Sequence, residues 1–424
     1  MTFRFAPDEA DLTKADLDRY GRVPFLLSND MEYLDEANRF LRERATGAWR
    51  PHRGDVSAYA ARSLLSDNTL DAYSRDLENF WTYVEAQRLS WRAMTYQDLL
   101  DSYDKDMGRG RWSEDGKPLS PSTINRRVDL AAQFLEWAAD RGERSPFKVP
   151  VDVRSKPSGN GRREPIEVRV GRRRVDPGHL RLPTAEEINR WLAEVRARRG
   201  ATKALACRTI LETGMRLEET VLLRVGQLPD PAAVEPGKPA RMEIRYGTKG
   251  SREPGDAAKA GKPRTLRFAA SFLRELSDYA ALRRAKAAVL FKAGHPGRPV
   301  PPQLFLSERT GEPITAAVLY KAWHACESLP YPGFSPHVGR HSFACVTLLR
   351  LLQEETALMA RTTDAVPRST LLEHARNLVG NYIRPVLGHV SEATTERYLG
   401  WVADHVWVAE HRSAWSAYLD AADA

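Results

Sequence analysis

The chain has 424 residues, with 64 Lys plus Arg against 56 Asp plus Glu and a net charge of +8 at neutral pH. At 42% hydrophobic and 28% charged residues it has the make-up of ordinary globular domains, which excludes wholesale disorder and collagen-like or low-complexity architectures; its length predicts two to four domains. Cys207, Cys326 and Cys345 form no CxxC pair, which argues against a disulfide scaffold or a cysteine-rich zinc site, and no run approaches about 18 apolar residues.

The start, MTFRFAPDEADLTK, has no apolar signal region, so the expectation is a cytoplasmic protein without a membrane span. Residues 1–60 read as an N-terminal helical extension. In SNDMEYLDEANRFLRERATG, Met31, Tyr33, Leu34, Ala37, Phe40 and Leu41 recur at helical spacing and Gly47 lies beyond. Residues 61–148 read as a compact helical unit. Asn68 or Thr69 caps a helix bearing Leu70, Tyr73, Leu77, Phe80, Trp81 and Val84. A second helix follows SPST, with Ile124, Val128, Ala131, Leu135 and Ala138 inward and Gly142 as its stop. Arg126 and Arg127 in its first turns are either a solvated face or a site for a DNA phosphate.

Residues 149–183 read as a basic linker. From Arg154 to Arg181 there are nine Arg or Lys against three acids, and Pro157, Gly159, Gly161, Pro165, Gly171, Pro177 and Gly178 interrupt any periodicity. Clustered Arg172, Arg173 and Arg174 suit a segment crossing a phosphate backbone. Residues 184–424 form the larger domain. Thr184 and Glu187 make a capping box ahead of Ile188, Leu192 and Val195, and a second helix is predicted from about Lys203 to Val225. RMEIRYG and PRTLRFA alternate as two strands of a small antiparallel sheet, and helical signals dominate to the end.

Four motifs carry the chemistry. ETGMRLEETVLLR holds Arg216 and Glu219; YGTKGSREPG holds Lys249; HVGRHSFAC holds His337, Arg340 and His341; LGHVSEATTERYLGWV holds His389 and, nine residues on, Tyr398. Each has a bland reading: an ion-paired arginine, a hairpin lysine, a His pair at i and i+4 that lacks a third metal ligand, a core aromatic. Their order within one domain is far harder to reach by accident.

That ordered set resembles the tyrosine recombinase (phage integrase) family over about residues 60–415. The resemblance implies a mainly α fold with a small antiparallel β-sheet: a helical core-binding domain, then a mixed α/β catalytic domain. It implies Tyr398 as a nucleophile forming a 3′-phosphotyrosyl link, with Arg216 and Arg340 on the non-bridging oxygens. Lys249 is then the leaving-group acid, His337 and His389 assist at the phosphate, Glu219 braces the site, and His341 completes the HxxRH pattern. No metal or other cofactor is implied. The implied partners are double-stranded DNA and further copies of the chain, a tetramer on paired DNA sites, with accessory recombinase proteins as further candidates.

The sequence departs from the family's pattern in places. Arg340 and His389 stand 49 positions apart, so the stretch from Arg350 to Asn377 reads as a helical insertion. Lys259 and Lys262 rival Lys249, which is preferred for its GTKG setting; Tyr382 precedes LGH and lacks the offset of Tyr398. The tail stripe Val402, Val406, Trp407, Trp415, Tyr418 and Leu419 packs either on its own domain or on a neighbouring protomer. The leading reading is a recombinase that integrates or excises a mobile element. A type IB topoisomerase-like relaxing enzyme and a non-catalytic DNA-binding relative are the alternatives; the intact set of catalytic residue types argues against the latter.

Overall fold

The computed structural model describes residues 2–7, 14, 23–51, 65, 67–157, 163–175, 181–248, 260–359, 368–388 and 398–402. The chain divides into two compact units, Met1–Pro177 and Gly178–Ala424. Both are helix-rich, and the described strands pair as three two-stranded antiparallel sheets, where the sequence predicts one. No helix among the described residues is long and apolar enough to cross a membrane.

In the first unit, strand β1 (Phe3–Phe5) pairs with β2 (Phe25–Leu27), Phe3 facing Leu27. Helix α1 (Asp35–Thr46) starts later than the spacing predicts, because Met31 takes a positive φ of 63° in a turn and stands exposed. The Asn38 side chain fastens α1 to β2: it accepts from the Leu26 N–H at 2.7 Å and donates to the Leu26 carbonyl at 2.8 Å. Phe40 packs among Trp49, Phe134 and Trp137, so the described part of residues 1–60 shares one core with the helices after it.

Those helices are α2 (Asp67–Ala86) and α3 (Pro121–Asp140). Between them Tyr96–Leu99, a π turn at Leu100–Asp104 and Lys105–Gly108 form one run. Ser120 caps α3, its hydroxyl accepting from the Thr123 N–H, with Pro121 in the first turn. Ile124, Val128, Ala131, Leu135 and Ala138 are buried as the spacing predicts, but Leu130, Ala132, Phe134 and Trp137 are buried too: α3 is the central helix of the unit, not a one-faced surface helix. The stretch read as a linker forms a hairpin of β3 (Val151–Pro157) and β4 (Arg163–Arg169), Val151 opposite Arg169. Backbone pairing across a hairpin tolerates the glycines and prolines that break a side-chain period.

The second unit opens with α4 (Ala185–Arg199), capped by the reciprocal Thr184–Glu187 bonds that the sequence predicts. The helix predicted over 203–225 is broken. Helix α5 (Ala201–Thr213) stops at Gly214, whose φ of 65° is left-handed, and α6 (Leu217–Leu222) restarts with Arg216 at its cap. Strands β5 (Ala240–Tyr246) and β6 (Ala260–Phe268) pair antiparallel, burying Ala240, Met242, Ile244, Leu266 and Phe268 on one face. Helices α7 (Ala270–Tyr279), α8 (Ala285–Gly294) and α9 (Ala316–His324) follow. Trp191, Trp323 and Phe334 pack together in tilted and edge-on contacts within the main core.

Helix α10 (Pro336–Met359) runs unbroken into the segment read as an insertion, and α11 (Arg368–Leu378) supplies its second helix. A π turn at Val379–Ile383 leads to α12 (Arg384–Leu387), ended by Gly388 at φ 59°. Tyr398, Trp401 and Val402 join Ala344, Cys345 and Leu348 in a smaller core against α10. The tail from residue 403 onward lies outside the described residues.

Candidate active site

Three arginines from separate elements converge on one carboxylate. Glu219 is fully buried on α6. Arg216 donates from Nη1 to its Oε1 at 2.8 Å, and the Arg216 backbone N–H reaches Oε2 at 2.6 Å. Arg264 on β6 donates from Nη2 to Oε2 at 2.7 Å and from Nη1 to Oε1. Nη1 of Arg340 on α10 lies 3.8 Å from Oε2. Burial alone would raise the Glu219 carboxyl; the hydrogen bonds and charge of Arg264, with the charge of Arg216, outweigh it and hold the group below its ordinary value.

The same guanidiniums cap the end of α12. Arg264 Nε donates to the Val386 carbonyl at 2.7 Å, Arg216 Nη2 to the Gly388 carbonyl at 3.1 Å, and both Arg216 and Arg340 to that of Leu387. These are carbonyls that a helix end leaves without intrahelical partners, and cations suit that pole of the helix. Arg340 Nη1 donates to the Gly214 carbonyl at 2.6 Å, while its buried Nε has no partner among the described residues. Burial, and after it the Arg216 charge, push Arg340 down to about 9, which leaves it charged at neutral pH.

The first turns of α10 put His337, Arg340 and His341 on one face, as spacings of three and four require. His341 Nδ1 lies 2.8 Å from the Tyr398 hydroxyl, and His341 Nε2 lies 3.0 Å from Nε2 of His337. Tyr398 and His341 are buried; His337 is exposed. Tyr398 is also close enough to Arg340 for the two to interact electrostatically. Tyr382 packs between the two apolar clusters of the unit with Arg267 over its ring. His337 and His341 belong to no group of three potential metal ligands among the described residues.

Of the predicted set, the structure thus brings together Arg216, Glu219 and Arg340, and, on the same α10 as Arg340, His337 and His341 with Tyr398 beside them. Lys249, Lys259 and His389 lie outside the described residues, as does the Lys262 side chain. Sequence reading missed Arg264. Its signal is positional: it shares the inward face of β6 with Leu266 and Phe268, and an arginine on the apolar face of a strand needs a buried acid.

The arginines predicted to meet DNA in the first unit divide. Arg173 is tied to Asp104 by Nη2 at 2.6 Å and Nε at 3.0 Å. Arg172 pairs with Asp129 at 2.6 Å, and Arg126 and Arg127 flank the buried Asp76. Arg174 is exposed and makes no ion pair among the described residues.

Residues 58–142 match the phage integrase N-terminal SAM-like domain. The chain is 27% identical to the tyrosine recombinase XerC of Roseiflexus castenholzii over 303 residues, 68% of this chain and 79% of that protein. It is 25% identical to the tyrosine recombinase XerD of Corynebacterium glutamicum over 360 residues, 82% of this chain and 94% of that one. Among solved structures, the Tn1549 transposon integrase bound to transposon right-end DNA aligns over 85% of this chain and 94% of its own, at 16% identity and a TM-score of 0.46. The chain is thus similar to tyrosine recombinases over most of its length.

Proposed function

We propose that the chain is a site-specific DNA recombinase that cuts and rejoins double-stranded DNA through a 3′-phosphotyrosyl link to Tyr398. The observation that carries this reading is one helix, α10, bearing both the histidine bonded to the Tyr398 hydroxyl and an arginine of the cluster around Glu219. Three guanidiniums against one carboxylate leave a positive surplus, and a guanidinium stays charged while it forks around phosphate oxygens. Donors fixed in place before reaction stabilise the charge that develops on a five-coordinate phosphorus; losing one such donor typically costs about 10²–10³ in rate.

In this reading Tyr398 Oη attacks phosphorus, the phosphorus–O5′ bond breaks, and Lys249 protonates the departing 5′ oxygen. The new phosphoester keeps the bond energy, so a 5′-hydroxyl from another strand reverses the step. Arg216 and Arg340 hold the non-bridging oxygens, His389 hydrogen-bonds the phosphate, and Glu219 keeps the arginines in place. The SAM-like unit contacts the duplex, and copies of the chain assemble on paired sites to integrate or excise a mobile element. The names of the relatives, both tyrosine recombinases, favour strand exchange over simple DNA relaxation.

A covalent trap tests this. The protein and a Tyr398→Phe variant are incubated, with chelator present, with nicked duplexes made from the DNA flanking this gene, then run on a denaturing gel. A DNA-linked band lost only in the variant is the expected result. A band that persists moves the nucleophile elsewhere, with Tyr382 tested next; no band on those duplexes or on supercoiled plasmid overturns the proposal.

A further inference from the structure

Arg172, Arg173 and Arg174 follow one another in the chain, yet the first unit uses them differently. Arg172 is paired with Asp129 at 2.6 Å and Arg173 with Asp104 at 2.6 Å, while Arg174 is exposed and makes no ion pair among the described residues. We propose, resting on the DNA-binding part of the reading above, that Asn125 is a positioning residue for the DNA surface. It clamps the backbone of Arg173 to α3, and so presents Arg174, the next residue, to a duplex phosphate from a fixed point.

The clamp is two-pronged. Asn125 is buried on α3. Its Nδ2 donates to the Arg173 carbonyl at 2.8 Å, and its Oδ1 accepts from the Arg173 N–H at 2.9 Å. One side-chain amide thus meets both polar groups of one backbone residue, as a neighbouring strand would. The same Oδ1 accepts from Arg169 Nη2 at 3.2 Å. The stretch between these two arginines is held as well. The Tyr96 hydroxyl donates to the Val170 carbonyl at 2.6 Å. Gly171, at φ 75°, lies so close to Leu100 that a Cβ there would stand 2.7 Å from its Cδ1. The Arg173 guanidinium lies against Gly108, where a Cβ would meet its Nη2 at 2.3 Å.

Fixing the chain before binding is what makes the clamp useful. An arginine on a loose chain forfeits backbone and rotamer freedom when it settles on a phosphate, and that loss subtracts from affinity. Here the backbone just ahead of Arg174 is ordered at folding, so the backbone share of the loss no longer falls on the binding step. The acids complete the division. Asp129 and Asp104 hold the two preceding guanidiniums against the unit, so the run offers the polyanion one arginine in one place. An asparagine suits the task because its amide is neutral: it holds the chain without drawing Arg174 into an ion pair of its own.

The test is binding of the full chain to a labelled duplex of mixed sequence, read by fluorescence anisotropy from about 50 to 200 mM salt. Asn125→Ala leaves the Arg174 contact in the complex but frees the chain ahead of it. Affinity should fall at least about threefold at every salt, with the slope of log affinity against log salt as in wild type. Arg174→Ala removes the contact itself, so it lowers the slope by about 0.9. Adding Asn125→Ala to Arg174→Ala should then leave affinity within about twofold of Arg174→Ala alone. A Gly-Gly insertion between Arg173 and Arg174 keeps the clamp and moves Arg174 off it, so it should reproduce the parallel loss. The insertion decides alone if thermal melts show that Asn125→Ala does not fold. A smaller loss or tighter binding in either variant, a changed slope, or a loss beyond about twofold on the Arg174→Ala background overturns the clamp's role. Wild-type protein that binds no duplex at all overturns the DNA-binding reading and the clamp's role with it.

Discussion

Arg264 and Glu219 form a two-pronged ion pair inside the second unit, both terminal nitrogens of the arginine meeting the two carboxylate oxygens, with the acid fully buried. The third nitrogen of Arg264 holds the Val386 carbonyl, just ahead of the LGH box. Arg264→Met therefore strips a buried carboxylate of its strongest partner and frees a helix end at the same time. Removing one member of a buried pair costs about 3–5 kcal/mol, so the melting midpoint of this unit should fall by several degrees. A melt unchanged from wild type would mean that Arg216 alone neutralises Glu219.

The same pair sets an acid limit. The folded Glu219 carboxyl lies below its ordinary value of 4.5. Its contribution to stability is thus fully present above that value and is lost as pH falls through the lower, folded one. Melts of wild type and Glu219→Gln across pH 3 to 7 check this: the difference between them should be flat at the upper end and shrink below about pH 4.5. A gap that holds constant to the acid end would assign the effect to packing.

Gly214 is a second structural constraint on the site. Its φ of 65° is left-handed, and a Cβ there would meet Phe343 at 2.5 Å and Leu387 at 2.8 Å. Leu387 offers the carbonyl that both Arg216 and Arg340 hold. Gly214→Ala should cost about 1–3 kcal/mol in stability through backbone strain. It should also cost at least about tenfold in cleavage rate, because moving Leu387 moves both arginines. A stable, fully active Gly214→Ala protein would show that this turn adapts freely.

Much of this was legible in the residues. The Thr184–Glu187 capping box, the inward set of α3 and the alternation of β5 and β6 are short-range patterns, and short-range physics writes them. The single helix predicted over 203–225 failed because one left-handed glycine outweighs an apolar period on both sides of it. The hairpin at 151–169 was missed because its pairing is made by backbone groups, while composition reports side chains. Residues 1–60 were read as a separate extension, yet Phe40 ties α1 into the core of α2 and α3 through contacts distant in sequence. Arg264 was missed for the same reason: its acid lies 45 positions away.

The arginines after β4 should behave differently from one another. Arg173 is bound to Asp104 and accepts the fold's constraints; Arg174 is exposed. Arg173→Ala should lower the stability of the first unit by about 1–3 kcal/mol, since a buried carboxylate loses its partner. Arg174→Ala should leave stability within about 0.5 kcal/mol. It should weaken binding to duplexes of any sequence and reduce the slope of log affinity against log salt by about 0.9, the share of one phosphate contact. Fluorescence anisotropy from low to moderate salt reads that slope. An unchanged slope would remove Arg174 from the DNA surface.

Tyr398→Phe should separate folding from chemistry. The ring stays, so its packing against the α10 side of the small core stays with it. Only the hydroxyl bonded to His341 Nδ1 is lost, and a hydrogen bond of this kind contributes about 1 kcal/mol. The variant should therefore melt within a few degrees of wild type and bind DNA as tightly, with the same salt dependence, since the hydroxyl carries no charge before reaction. Its cleavage should fall to background, because phenylalanine carries no hydroxyl to attack phosphorus. A variant that neither binds nor melts normally would make Tyr398 a structural aromatic, and the nucleophile would have to be sought elsewhere on the chain.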